Sequence, residues 1–321
     1  MTIIGIDVSK DWLDVAQLGT TVPSSPTTSR VANTAAAIAT LVSHLRRLTI
    51  TRIGLESTGA YHLPLLTALL AANLPVSLIN PVQIKAYRQV RAVRQKTDRQ
   101  DALLIAHFTR TYVQDLRQVH PATPVQAQLR ELVGYREGRV KERTRLLNQR
   151  EAACWADSPT VQTLLATDVD HVEQQLAAVD RAIAALLATV PEAAIIQQII
   201  GVGPRVAAIV LAYLPAELWG QVKPAVGYAG MHPRLEQSGR SQQSRLSKAG
   251  PAPVRRALYL AALVAVRHDP DIQQRYLRYR ARGKPPKEAL CIMAHALLRH
   301  MMGAVNAYYR QQDDTTEPLA A

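Results

Sequence analysis

The chain has 321 residues, with 38 Lys+Arg against 25 Asp+Glu, a formal net charge of +13 and a sequence pI of about 10.0. At roughly 100–200 residues per domain this length suggests two or three domains, and 48% hydrophobic against 20% charged residues excludes a disordered basic tail. Cys154 and Cys291 are too few for a disulfide framework or a cysteine zinc site, the nine His show no ligand spacing, and the longest apolar run, Ala257 to Val266, has ten residues where a bilayer needs about twenty.

The first third alternates short apolar strands with amphipathic helices. Thr2–Val8 and Trp12–Leu18 read as strands around a turn at Ser9-Lys10-Asp11. Thr34–Arg47 reads as a helix, Arg52–Leu55 as a buried strand, Tyr61–Ala72 as a helix and Pro75–Ile79 as a strand. Asn80-Pro81 ends that strand and starts a basic helix, and Thr97 is placed to cap a helix from Asp98 to about Tyr112. This order predicts an α/β domain with a mixed sheet.

The middle third is a pair of helices. Val125 to about Cys154 is helical and charged, and Asp157-Ser158-Pro159 breaks it. Leu165, Val169, Val172, Leu176, Val179, Ile183, Leu186 and Val190 then step alternately by four and three, a heptad seam. A hairpin within the chain and self-association through the seam both satisfy this pattern. The last third is expected to be helical, with Gly201-Val202-Gly203 before a new helix, resembling a helix-hairpin-helix turn whose backbone N–H groups hold a phosphate; a simple turn fits as well. Residues 311–321 read as a disordered tail.

Charge is uneven: net +6 over residues 1–117, −1 over 118–190 and +8 over 191–321. Lys85, Arg88, Arg91 and Arg94 step by three, a stripe along a helix joined by Lys96. That helix lacks the bulky apolar face of a membrane-surface helix, so the polyanion is expected to be nucleic acid. No membrane partner is expected, the N-terminus lacks the basic start of a signal peptide, and the expected location is cytoplasmic.

Four carboxylates stand out. Asp7 ends the first strand, Glu56 ends a later one, and Asp98 and Asp101 sit three apart on one helix face. Acids converging at a sheet end repel unless cations neutralise them, and oxygen-only ligands suit Mg²⁺ or Mn²⁺ in phosphodiester chemistry.

These segments resemble a known family. Ile-Gly-Ile-Asp, Glu-Ser-Thr-Gly-Ala-Tyr, Ile-Asn-Pro and Lys-Thr-Asp-x-x-Asp look like the RuvC-like Asp-Glu-Asp-Asp domain of insertion-sequence transposases. Ile-x-Gly-Val-Gly, Ala225 to Gly230, Pro233-Arg234, Ser238-Gly239 and Ser247 to Gly250 before Arg255-Arg256 continue the likeness over nearly the whole chain. It is similar to the bridge-RNA-guided recombinases. The resemblance implies a RuvC/RNase H-like domain (1–120), a coiled-coil hairpin (121–192), a mainly α C-terminal transposase domain (193–310) and the tail (311–321).

The resemblance further implies that Asp7, Glu56, Asp98 and Asp101 are catalytic and bind Mg²⁺ or Mn²⁺, and that Ser238 is a nucleophile. From the residues alone Ser241, Ser244 and Ser247 compete with it. Basic residues expected at nucleic acid are Lys85, Arg88, Arg91, Arg94, Lys96, Arg234, Arg240, Arg245, Lys248, Arg255 and Arg256, with Gly201 and Gly203. Donor and target DNA, a noncoding guide (bridge) RNA and a homo-oligomer, dimer or tetramer, are the implied partners, in a prokaryotic, nucleoid-associated setting. Two readings compete: a RuvC-like structure-selective endonuclease using water instead of serine, and a non-catalytic nucleic-acid scaffold.

Overall fold

The computed structural model describes residues 1–19, 26–57, 61–92, 97–238, 241–247 and 250–316, with only the backbone described at 233–238, 241–245 and 313–316. It divides into two compact units, Met1–Pro121 and Ala122–Ala321.

The first unit is built on a five-stranded mixed sheet. Strands β1 (Thr2–Val8), β2 (Trp12–Gly19) and β3 (Thr27–Ala32) form an antiparallel meander, while β4 (Ile50–Glu56) and β5 (Val76–Ile79) add in parallel beyond β1, giving the order β3-β2-β1-β4-β5. Helices α1 (Ala35–Leu45), α2 (Leu63–Ala71), α3 (Pro81–Val90) and α4 (Asp98–Thr111) complete it. The period of two sorts each strand between faces. Ile4, Ile6, Val8, Leu13, Val15, Ile53 and Leu55 pack with Ile38, Leu41, Leu45, Leu65 and Leu69 of α1 and α2. Ile3, Ala16 and Leu18 point to the other face, against Ala102 and Ala106 of α4.

Two glycines let α4 lie this close. Gly5 and Gly54 are register partners on β1 and β4. A Cβ on Gly5 would run into the backbone of Ala102 and Ala106, and one on Gly54 into the Thr109 side chain. On the far side of α4, Ile84 and Tyr87 of α3 pack with Leu104, Ile105 and Phe108.

Strand β3 carried no apolar alternation. Its first four residues are exposed, so it is an edge strand held by its ladder to β2 rather than by burial. The basic helix starts at Pro81 under a capping box between Asn80 and Gln83, and it ends at Val90 with Arg91 as its C-cap.

In the second unit, α5 (Pro124–Trp155) and α6 (Pro159–Leu187) form a long hairpin that turns at Asp157, in the left-handed region at φ 47°. The heptad seam is filled from within the chain: Val169, Val172 and Leu176 pack with Leu146, and Val179, Ile183 and Leu187 join Leu129 and Val133 in the main core. Then follow α7 (Pro191–Ile196), α8 (Pro204–Tyr213), α9 (Val222–Tyr228), β6 (Pro233–Ser238), β7 (Ser241–Leu246), α10 (Ala252–His268), α11 (Pro270–Ala281) and α12 (Pro286–Thr316). The start of α5 satisfies carbonyls at the end of α8: Gln126 Nε2 donates to Leu211 O at 3.1 Å and Leu214 O at 2.7 Å, and Arg130 donates to Ala212 O at 3.0 Å.

The last third is therefore not wholly helical, because β6 and β7 form an antiparallel hairpin. Its strands, PRLEQS and SQQSRL, are rich in Gln, Ser and Arg and carry no apolar alternation in sequence to mark them. Helix α12 runs to Thr316, into the stretch expected to be a tail, and residues 317–321 lie outside the described part. No helix among the described residues is long and apolar enough to cross a membrane.

Candidate active site

The register of the sheet assembles a row of charged side chains. Ile3, Gly5 and Asp7 alternate onto the face covered by α4, and the same parity places Asp14 on β2, Arg30 on β3 and Glu56 on β4 there. Asp7 pairs with Asp14 and Asp14 with Arg30, while Ile6 pairs with Leu55, which sets Glu56 beside Asp7. Across the sheet the order is Arg30, Asp14, Asp7, Glu56.

Helix α4 supplies the other two acids. Thr97 caps it by accepting from the Gln100 N–H, and Asp98 and Asp101 occupy its first turn, where carboxylates also suit the helix dipole. Because Gly5 and Gly54 let α4 settle onto the sheet, that first turn comes to the charged row. Burial, then the charges of Glu56, Asp101, Asp98 and Asp14 in decreasing order, push the Asp7 carboxyl up from 3.8 to about 7. Glu56, Asp98 and Asp101, the other three sequence-predicted acids, thus each act electrostatically on Asp7.

Two arginines balance part of this charge. Arg30 grips the buried Asp14 with two nitrogens, at 3.1 and 2.8 Å, and reaches Asp98 Oδ2 at 2.8 Å. Arg88, from α3, donates to Asp101. Arg88 had been expected at nucleic acid; here its guanidinium is half-buried against an acid of the cluster. Sequence reasoning missed Asp14 and Arg30. A lone Asp among apolar strand residues was the available signal, but only the register reveals that it faces Asp7 and Arg30.

The cluster fits a hard divalent cation by its chemistry. It offers oxygen donors only, with Asp7 partly buried and Glu56, Asp98 and Asp101 close enough to act on it, while Arg30 reaches Asp98 and Arg88 reaches Asp101. A closed cage is not formed: among the described residues no three His, Cys, Asp or Glu side chains stand as a ready metal-holding group.

The remaining predicted residues are scattered. Lys85 is exposed on α3, Arg91 stacks over Tyr87 with its guanidinium carbon 6.0 Å from the ring centre, and Arg94 and Lys96 lie outside the described residues. Ser238 is the last residue of β6, register partner of Ser241, and Arg234 is the partner of Arg245; Arg240 and Lys248 lie outside the described residues. Arg255 is turned inward and donates to the carbonyls of Gly250 and Ala229, and the exposed Arg256 pairs with Glu137. Gly201 has φ +93°, and a Cβ there would strike the Ala261 carbonyl of α10, so close helix packing already requires this glycine. Gly203 is exposed at the N-cap of α8.

Residues 4–153 match the DEDD transposase domain of IS110 elements, and residues 193–277 match the transposase IS116/IS110/IS902 family. The pilin gene-inverting proteins of Moraxella lacunata and Moraxella bovis are each 27% identical over 310 residues, covering 92% of this chain and 93% of theirs. A 43.6 kDa uncharacterized protein of insertion element IS110 from Streptomyces coelicolor is 31% identical over 132 residues, 40% of this chain and 33% of its own. Among solved structures, Thermus thermophilus RuvC in complex with a Holliday junction aligns with 37% of this chain and 99% of its own, at TM-score 0.31 and 16% identity.

Proposed function

We propose that this chain, whose residues 4–153 and 193–277 match transposase families, is a recombinase that cleaves and rejoins DNA and moves or inverts a DNA segment through a transient serine–DNA link. The observation that carries the reading is the carboxylate cluster of Asp7, Glu56, Asp98 and Asp101 on the α4 face of the sheet, with Asp7 held near pKa 7.

Asp7, Glu56, Asp98 and Asp101 would hold Mg²⁺ or Mn²⁺. Such a cation, when bound, supplies charge stabilisation for a pentavalent phosphorus and its leaving oxygen. Asp14 and Arg30 act behind these acids: Arg30 fixes Asp14 and steers Asp98, so the row keeps its geometry under mutual repulsion. Arg88 does the same for Asp101.

The proposed nucleophile is Ser238 at the end of β6. Its Oγ attacks the phosphorus, the bond from phosphorus to one deoxyribose oxygen breaks, and the proton lost by the serine ends on that oxygen. A strand-end hydroxyl later attacks the phosphoserine, forms the new phosphodiester and returns a proton to the serine. The number of phosphoester bonds is unchanged, so rejoining needs no nucleotide cofactor. Register supports phosphate contacts nearby, because Arg234 and Arg245 are paired at even steps from Ser238 and Ser241. The acids and the serine lie in different units of the chain, which suits a site completed between copies in a dimer or tetramer. A noncoding guide RNA paired to donor and target DNA is the proposed source of sequence choice, the protein reading backbone and shape.

The test is strand exchange on a plasmid carrying the element and its flanking DNA, with purified protein and the transcribed flanking RNA. Recombinant junctions that need Mg²⁺ and RNA, and vanish in Asp7→Asn and Ser238→Ala, support the reading. Strand hydrolysis without junctions in the wild type would overturn it.

A further inference from the structure

A cavity of about 490 Å³ lies at the foot of the β6–β7 hairpin, lined by Val222, Lys223, Val226 and Gly227 of α9, His232, and His295 and Arg299 of α12. Among the described residues no carboxylate lines it. Lys223, His232 and Arg299 are exposed, so their charged or donor groups are available to a ligand. His295 is half-buried, and its pKa is held below the usual imidazole range by burial and by Arg299 and Arg275. The hollow therefore gathers positive charge from α9 and α12 around a side chain that offers a neutral ring N–H.

Charge of one sign at a concave surface concentrates the opposite ion. The hairpin gives the cavity a defined position: Ser247 N–H donates to the His232 carbonyl at 3.0 Å and closes the base, while Ser238 ends the same strand. At roughly 3.3 Å per residue, His232 and Ser238 are about 20 Å apart along the strand. A straight DNA duplex advances about 3.4 Å per nucleotide of one strand, so this span is roughly six base pairs.

We propose that this cavity is a phosphodiester site, holding a backbone phosphate of the DNA strand within roughly six base pairs of the phosphate that Ser238 attacks. Lys223 and Arg299 supply the charge, and His232 and His295 supply directed hydrogen bonds. The site fixes where the duplex lies against the hairpin and reads no base, so it sets register along the DNA without adding sequence preference. It rests on the recombinase reading for its distance to Ser238, but not for its existence.

The experiment is equilibrium binding of the full-length protein to a 30-bp DNA duplex and to a matched RNA duplex, without Mg²⁺, across a KCl series. The double variant K223Q/R299Q is expected to weaken DNA binding about tenfold and to lower the salt slope by about 1, with R299K recovering most of the loss. Because the site contacts phosphate alone, a fall on RNA alongside the fall on DNA also supports it. Unchanged slopes on both probes overturn the site, and a loss confined to RNA overturns the assignment to DNA. Because no strand is cut in this assay, an unreactive Ser238 leaves the outcome untouched, so the two proposals fail separately.

Discussion

The two regions that carry the proposed chemistry are built in opposite ways. The acids stand on a five-stranded sheet with helices on both faces, and each is fixed by register, by the seat of α4 on Gly5 and Gly54, and by an arginine contact where the chain supplies one. Ser238 ends one strand of a two-stranded sheet whose sequence is mostly polar. A lone hairpin of this kind is marginal by itself and takes its order from what it contacts. The acids are held by contacts within their own unit; the serine stands at the end of a two-stranded ladder.

The contrast is broken most sharply at Asp7. Asp7→Asn is expected to lower strand cleavage by roughly a thousandfold or more, the loss of several kcal/mol of charge stabilisation. The same substitution should stabilise the metal-free fold. The Asp7 carboxyl titrates at about 7 in the folded chain against 3.8 as its ordinary value. The unfolded chain therefore loses that proton first as pH rises, and native stability falls between about pH 4 and pH 7, then levels off. Urea midpoints measured in chelator at pH 4.5 and 7.5 should show a drop in the wild type that Asp7→Asn reduces.

Gly5→Ala comes next. The added methyl meets the α4 backbone, which cannot yield as a side-chain end would, so a loss of about 1–3 kcal/mol is expected. Cleavage should fall with it, because Asp98 and Asp101 ride on α4. Normal cleavage with a displaced urea midpoint would separate the seat of α4 from the chemistry. Arg30→Gln leaves the buried Asp14 carboxylate without its guanidinium and is expected to cost a comparable amount of stability, about 1–3 kcal/mol, read as a lower urea midpoint. Smallest is Arg234→Gln on the hairpin: DNA affinity should weaken uniformly across sequences, with a salt slope lower by about 1 and no change in the urea midpoint.

Much of the acidic region could be read from the residues because its elements bury one face. Strands β1, β2, β4 and β5 show apolar runs or alternation, and Thr97 marks the start of α4. What could not be read is long-range. Asp14 and Arg30 gain their meaning from the pairing of β1 with β2 and β2 with β3, and β3 is an exposed edge with no hydrophobic signal of its own. Arg88 and Arg255 looked like free cations in a basic run, yet tertiary contacts turn one onto Asp101 and the other onto backbone carbonyls. The β6–β7 hairpin escaped because its mostly polar sequence carries neither apolar alternation nor a strong strand composition; the Ser238-Gly239 step was the one turn signal there.

Ser238 is proposed to link covalently to DNA. Incubating the protein with Mg²⁺, guide RNA and a labelled target whose strand is nicked next to the cleavage point should trap the linked state, which denaturing electrophoresis then separates from free protein. The account predicts a labelled protein band whose digested peptide carries the nucleotide on Ser238, absent in Ser238→Ala and in Asp7→Asn. A band of undiminished intensity in Ser238→Ala, or cleaved DNA in the wild type with no band at all, would contradict it.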